Sequence, residues 1–128
     1  MQKNFIAGTW EKMRAFSPAV IVTGGKMIFV AGHGGQVDDT GKSLAGDFDA
    51  QTRQTFRNIE KTLKEAGAGL KDLVTMTVFI TDSRYGNQFT DIRREIFKEN
   101  FPASALITCD GLARTDMLVE VQGIAMIA

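Results

Sequence analysis

The spacing of hydrophobic and polar positions changes along the chain and divides it into blocks. Ala19 to Thr23 (AVIVT) and Lys26 to Ala31 (KMIFVA) are β-branched or aromatic runs separated by Gly24-Gly25. A two-glycine connection between such runs predicts a β-hairpin. Gly32 to Gly41 is rich in glycine and small polar residues, which predicts a loop with at most a short edge strand. From Asp47 the period becomes helical. Phe56, Ile59, Leu63 and Ala66 form one stripe, and Arg53, Arg57, Glu60, Lys61, Lys64 and Glu65 fill the rest. Asp47 or Asp49 suits the start of this helix and Gly67 its end. Leu73 to Thr81 (LVTMTVFIT) is apolar or β-branched throughout, the pattern of a central strand covered on both faces. Phe89, Ile92, Ile96 and Phe97 mark a second amphipathic helix that stops before Pro102, with Arg93 and Arg94 expected on its polar face. Final strands are expected near Ala105 to Cys109 and Met117 to Met126.

The order is hairpin, helix, strand, helix, two strands. Two helices are too few to cover both faces of such a sheet, so the pattern predicts one α+β domain over residues 1–128, a two-layer fold with both helices on one face. Apolar residues stand on both alternating faces of several strands. An oligomer that covers the open face is the simplest consequence.

Composition narrows the function without naming it. Fifteen basic residues balance fifteen acidic ones, and no basic-aromatic stripe is present, which argues against nucleic acid as a partner. Cys109 is the single cysteine, so an internal disulfide is excluded, and no cationic-then-apolar leader opens the chain. A cytoplasmic protein is expected. No apolar run approaches the roughly 20 residues of a spanning helix, so no membrane role is expected. With one histidine, one cysteine and no clustered ligand spacing, a metal site or a Cys-His dyad lacks parts within one chain. Gly32-His33-Gly34-Gly35 has neither the lysine of a phosphate-binding loop nor a helix directly after it.

The remaining candidates are few. Glu120 stands alone among aliphatics in Leu118-Val119-Glu120-Val121. Alternation places Leu118, Glu120, Gln122 and Ile124 on one face of the last strand and Val119, Val121, Gly123 and Ala125 on the other. Glu120 therefore either faces solvent or lines a cleft, where partial desolvation would suit it to orient a water or move a proton. His33 follows a strand at the edge of a glycine-rich loop, a position for either a plain loop residue or a proton-exchanging side chain. Arg114, in Leu112-Ala113-Arg114-Thr115-Asp116, is either a solvated charge or a clamp for a carboxylate. Cys109 reads as a small buried hydrophobe.

Taken together, these stretches resemble the Rid proteins, the reactive-intermediate deaminases also called the YjgF or L-PSP family. Gly25 to His33 (GKMIFVAGH) resembles the family's G-N-x-V-F-V-S-G-Q strand. Gly46 to Ile59 (GDFDAQTRQTFRNI) resembles its G-D-x-x-x-Q-T-R-Q-x-x-x-N-I helix, and Gly67 to Phe79 (GAGLKDLVTMTVF) its G-A-S-L-x-D-V-V-K-T-T-V-F segment. Phe101-Pro102-Ala103 through Leu118-Val119-Glu120-Val121 resembles F-P-A-R-S followed by V-E-I-E-A-I-A. The match runs in order from about Ala19 to the end. It implies a chorismate-mutase-like fold with a mixed sheet, assembled as a homotrimer with small-molecule clefts between subunits. It also implies water-assisted hydrolysis of enamines and imines to keto acids and ammonia, without metal or cofactor.

In the best-studied members an arginine after Pro-Ala binds the substrate carboxylate, and a glutamate near the C-terminus positions water. Glu120 matches that glutamate. Ser104 stands where the arginine is expected, Ala31 where the family has serine, His33 where it has glutamine, and Phe16-Ser17 at its aromatic-Ser step. The resemblance thus assigns Glu120 to catalysis, with Ser104 and His33 as hydrogen-bonding groups and Phe16 as a packing surface. Either Arg114, Arg93 or Arg94 supplies the missing charge from elsewhere, or the ligand is neutral, aromatic or larger. The latter suits a cleft widened by Ala31 and Ser104, with Phe16 or Phe89 as a stacking face. A metabolite binder without catalysis, and RNA cleavage, are the alternative functions.

Overall fold

The computed structural model describes residues 1–128. Its strands are β1 (Gln2–Phe5), β2 (Val20–Thr23), β3 (Lys26–His33), β4 (Leu73–Ile80), β5 (Ala103–Thr108) and β6 (Val119–Ile127). Its helices are α1 (Trp10–Met13), α2 (Phe48–Glu65) and α3 (Gly86–Phe97). Strands β3, β6, β4 and β5 form a sheet in that order, antiparallel except for the parallel pair β4–β5 that α3 connects. This is the expected two-layer α+β arrangement with a mixed sheet. No helix is long and apolar enough to cross a membrane.

The expected hairpin is not formed. Both Gly24 and Gly25 have positive φ and turn the chain, but β2 pairs with β1 in a separate two-stranded sheet while β3 pairs with β6. The N-terminal strand, which the hydrophobic pattern does not announce, competes for the β2 edge and wins it. Local turn chemistry was read correctly and the pairing was not.

Helix α2 is built as its sequence requires. Asp47 caps it, its Oδ1 accepting the Ala50 N–H at 3.0 Å. At the other end the Ala68 and Gly67 N–H groups donate to Leu63 and Lys64 carbonyls, and Gly67 takes φ 77°, a Schellman ending. Phe56, Ile59 and Leu63, with Phe89 of α3, pack on Val30, Met76, Val78, Ile80, Val119, Val121 and Ala125 of the sheet. Alternation along β6 holds: Val119, Val121 and Ala125 are fully buried under the helices, and Glu120 is not.

The opposite face of the sheet has no helix. There Phe29 is 74% and Met27 56% exposed, with Ile107 on the same face. Each would gain about 1–3 kcal/mol on full burial.

Gln51, the first residue of the Gln-Thr-Arg-Gln run, is a buried clasp between α2 and the approach to β6. Its Nε2 donates to the Leu44 and Asp116 carbonyls at 3.1 and 2.8 Å, and its Oε1 accepts the Leu118 N–H at 2.9 Å. Leu118 directly precedes β6, so this amide fixes the strand that carries Glu120. Gln51→Leu leaves those backbone groups unpaired in the interior and is expected to cost about 2–4 kcal/mol. Urea denaturation checks this; a cost below about 0.5 kcal/mol would contradict it.

Candidate active site

The site begins with a guanidinium. Arg93 is 2% exposed, although its charge suggested the polar face of α3. The helical period explains the correction: Arg93 lies four residues after Phe89 and three before Ile96, inside the apolar stripe. Its Nη1 donates to Ser104 Oγ at 2.7 Å and its Nη2 to the Arg14 carbonyl at 3.2 Å. Its Cζ lies 5.1 Å from the Phe89 ring centre and 5.7 Å from that of Phe16, close enough for cation–π attraction. No carboxylate pairs with it, and its Nε hydrogen meets no acceptor. Burial, with the nearby charge of Arg14, pulls its pKa down to about 10, which leaves it charged at neutral pH.

A short backbone device brings Phe16 to this cation. Ser17 bridges to Ala103 at the start of β5, its N–H donating to the Pro102 carbonyl and its hydroxyl to the Phe101 carbonyl at 2.6 Å. Just before it, Ala15 is buried with φ 61°, a conformation costing about 1–2 kcal/mol for a residue with a Cβ. The bond from Arg93 to the Arg14 carbonyl holds this turn. Arg93, Ser104 and Phe16 therefore meet in a cleft of about 460 Å³ that Trp10, Arg14 and Leu106 also line.

Glu120 is placed elsewhere. It pairs with Phe79 in the β4–β6 ladder, on the face away from the helices, whereas Ser104 pairs with Met76 and faces them. Its carboxylate lies over Gly32, where an added Cβ would stand 2.2 Å from Oε2. An irregularity in the β3–β6 register between Val30 and His33 sets Ala31 and Gly32 beside it.

The other expected residues separate into two groups. Ala31 is exposed next to Gly32. His33 is turned toward α2: Nδ1 donates to the Ala31 carbonyl at 2.6 Å, so Nε2, 2.8 Å from Thr62 Oγ1, accepts that hydroxyl when the ring is neutral. No hydrogen bond joins it to Ser104 or Glu120. Phe89 is fully buried, and Arg93 occupies its free face, so it offers no stacking surface to a ligand, contrary to expectation. Arg114 is exposed and bonded to Asp116 at 3.4 Å, and Arg94 to Asp91 at 3.2 Å. Among the three arginines considered, Arg93 alone meets Ser104.

The chain is thus a two-layer α+β protein with a buried cation at a sheet edge and a lone carboxylate on the open face. The profile of the family Endoribonuclease L-PSP matches residues 9–127. A RutC family protein of Pyrococcus abyssi is 36% identical over 110 residues, covering 86% of this chain and 84% of the relative. Among solved structures, a putative endoribonuclease of Thermotoga maritima has a TM-score of 0.74 at 29% identity, covering 88% of this chain and 87% of the other. RidA of a Psychrobacter species has 0.70 at 28%, covering 88% of both chains. A Rid family protein of Yersinia pestis, of unknown function, shares the fold with a TM-score of 0.87 at 22% identity, over 99% and 100% of the two chains. The chain belongs to the L-PSP family, also called YjgF or Rid.

Because the folded pKa of Arg93 lies below the ordinary arginine value, the free fold holds this proton less tightly than the unfolded chain. Its charge therefore costs stability at every pH below about 10, and that cost is relieved only as the pH rises above about 10 toward the ordinary arginine pKa. At pH 7 Arg93→Met, which exchanges the buried charge for apolar volume, should keep the melting temperature of the free protein within about 3 °C. A fall of 8 °C or more in differential scanning calorimetry would make Arg93 a structural tie instead.

Proposed function

We propose that this protein is a Rid-type hydrolase that releases ammonia from a small carboxylate-bearing enamine or imine, in a cleft shared between subunits of a homotrimer. The observation that carries the reading is Arg93, a buried cation without a counter-ion, bonded to the hydroxyl of the residue that stands where the family has its substrate-binding arginine. A displaced guanidinium at that place still supplies a charge-assisted grip for a carboxylate. Ser104 accepts from Arg93, which leaves its hydroxyl proton for the same ligand oxygen.

The places of the parts support this assembly. Glu120 and Arg93 sit on opposite faces of one sheet, so a single chain does not close a site around both. Packing the exposed apolar face against a neighbour would bring one subunit's Glu120 toward the Arg93–Ser104 cleft of the next and cover Phe29 and Met27.

The chemistry needs little more. Protonation at the β-carbon converts an enamine to its imine. Glu120 then takes a proton from water as the water oxygen bonds to the imine carbon, and that proton passes to nitrogen. The carbinolamine so formed then gives its hydroxyl proton, by way of Glu120, to the nitrogen as the C–N bond breaks, so that ammonia leaves and a carbonyl remains. Arg93 holds the adjacent carboxylate and its field favours attack at that carbon. The chain's zero net charge is the reason to rank hydrolysis above RNA cleavage, despite the name of the family.

The test is ammonia release from 2-aminoacrylate generated in situ, measured above the rate without enzyme. Glu120→Gln and Arg93→Met are each expected to lose about 100-fold or more. Equal rates for wild type and Glu120→Gln would remove Glu120 from catalysis, and no acceleration by wild type, with 2-oxo acids still bound, would make this a binding protein.

The oligomer has its own check. Phe29→Glu should shift the protein from trimer to monomer in sedimentation, since it places a charge in the proposed contact. An unchanged trimer would move the interface away from this face.

A further inference from the structure

Arg93 is not the only cation at the cleft without an acid. Arg53 pairs with Asp49 and Glu95, Arg84 with Asp82, Arg94 with Asp91 and Arg114 with Asp116. Arg14, like Arg57 on α2, meets no carboxylate; it gives its Nη1 to the neutral Oδ1 of Asn87 at 2.8 Å. A methyl group added at Gly86 would stand 3.9 Å from Arg14 Nη2 and 3.5 Å from Leu106 Cδ2, so this guanidinium and Leu106 flank one spot on the cleft wall. Arg93 lies deeper, with Ser104.

Two like charges converging on one opening repel one another. Arg14 is, after burial, the second cause that disfavours the charged form of Arg93. Such an arrangement costs free energy in the empty protein and is relieved by anionic charge placed between or across the pair. Asn87 keeps Arg14 in position without cancelling its charge, whereas an aspartate there would have neutralised it.

The shape agrees. A cleft of about 460 Å³ lies in the range of pockets that hold molecules much larger than a three-carbon acid. Trp10, 61% exposed, stands edge-on to Phe16 with ring centres 5.7 Å apart, and with Leu106 it gives the cleft apolar lining beside its two cations.

We propose that the cleft selects a dicarboxylate: an imine or enamine whose 2-carboxylate sits on Arg93 and Ser104, whose carbon chain lies along Trp10 and Leu106, and whose distal carboxylate is held by Arg14. The assignment rests on the reading of Arg93 as the carboxylate grip and adds to it the substrate class. Arg14 is then the specificity-determining residue, because a monocarboxylate leaves its guanidinium unanswered.

The stable product-like acids 2-oxoglutarate and 2-oxopentanoate have equal chain lengths and differ in the distal carboxylate alone. Isothermal titration of the assembled protein should show 2-oxoglutarate bound about tenfold or more tightly than 2-oxopentanoate, the worth of one charge-assisted hydrogen bond. Arg14→Met should bring that ratio close to one, and Arg14→Lys should restore part of it. Arg93→Met should weaken both acids alike. Equal affinities in wild type, or a preference that Arg14→Met leaves intact, would overturn the dicarboxylate assignment while the Arg93 grip stands. Failure of both acids to bind, or binding indifferent to Arg93→Met, would overturn the grip and this inference together.

Discussion

The structure turns on a guanidinium placed in the interior without an acid to answer it. Isolated buried charges are among the most expensive features a fold can carry, and proteins ordinarily pair them or leave them in water. The partners that Arg93 bonds or packs on are all neutral: a serine hydroxyl, a methionine sulfur, a backbone carbonyl and two aromatic faces. Each lowers the cost and none cancels the charge. What remains is an electrostatic field aimed at one cleft, already organised before any ligand arrives.

Other parts of the fold serve that placement. The parallel pairing of β4 with β5 requires a crossover, and the crossover is α3, which carries Arg93 over both strands. Met76 and Ser104 face each other in that pairing, and both touch the guanidinium. The strained turn at Ala15 leans on the same group through the Arg14 carbonyl and presents Phe16 to it. On the other side of the sheet, the irregular register at Ala31-Gly32 and the missing side chain of Gly32 leave room for the Glu120 carboxylate. One sheet thus carries the guanidinium on one face and the carboxylate on the other, so the proposed site draws on a second copy of the chain.

Much of this was readable from the residues. Helix α2 announced itself by period and cap, and the alternation along β6 gave the correct face to each of Val119, Glu120 and Val121. The hairpin at Gly24-Gly25 failed because a tight turn constrains direction and not partner, and the partner was a terminal strand with no strong pattern. For Arg93, charge and position disagree: the charge points to the polar face of α3, whereas four residues after Phe89 is the inward face. Phe89 is a core side chain rather than a stacking face, and His33 bonds Thr62 of α2, placements that depend on packing and on a register irregularity that no local pattern encodes.

The central claim is that the displaced arginine and the carboxylate of a neighbouring subunit share one ligand. A crystal structure of the protein grown with 2-oxobutanoate tests it most directly. The account predicts the ligand carboxylate on the guanidinium of Arg93 and the hydroxyl of Ser104, with Glu120 of a second subunit facing the carbonyl carbon. A ligand bound without Arg93, or an assembly in which no Glu120 approaches the cleft, would contradict it.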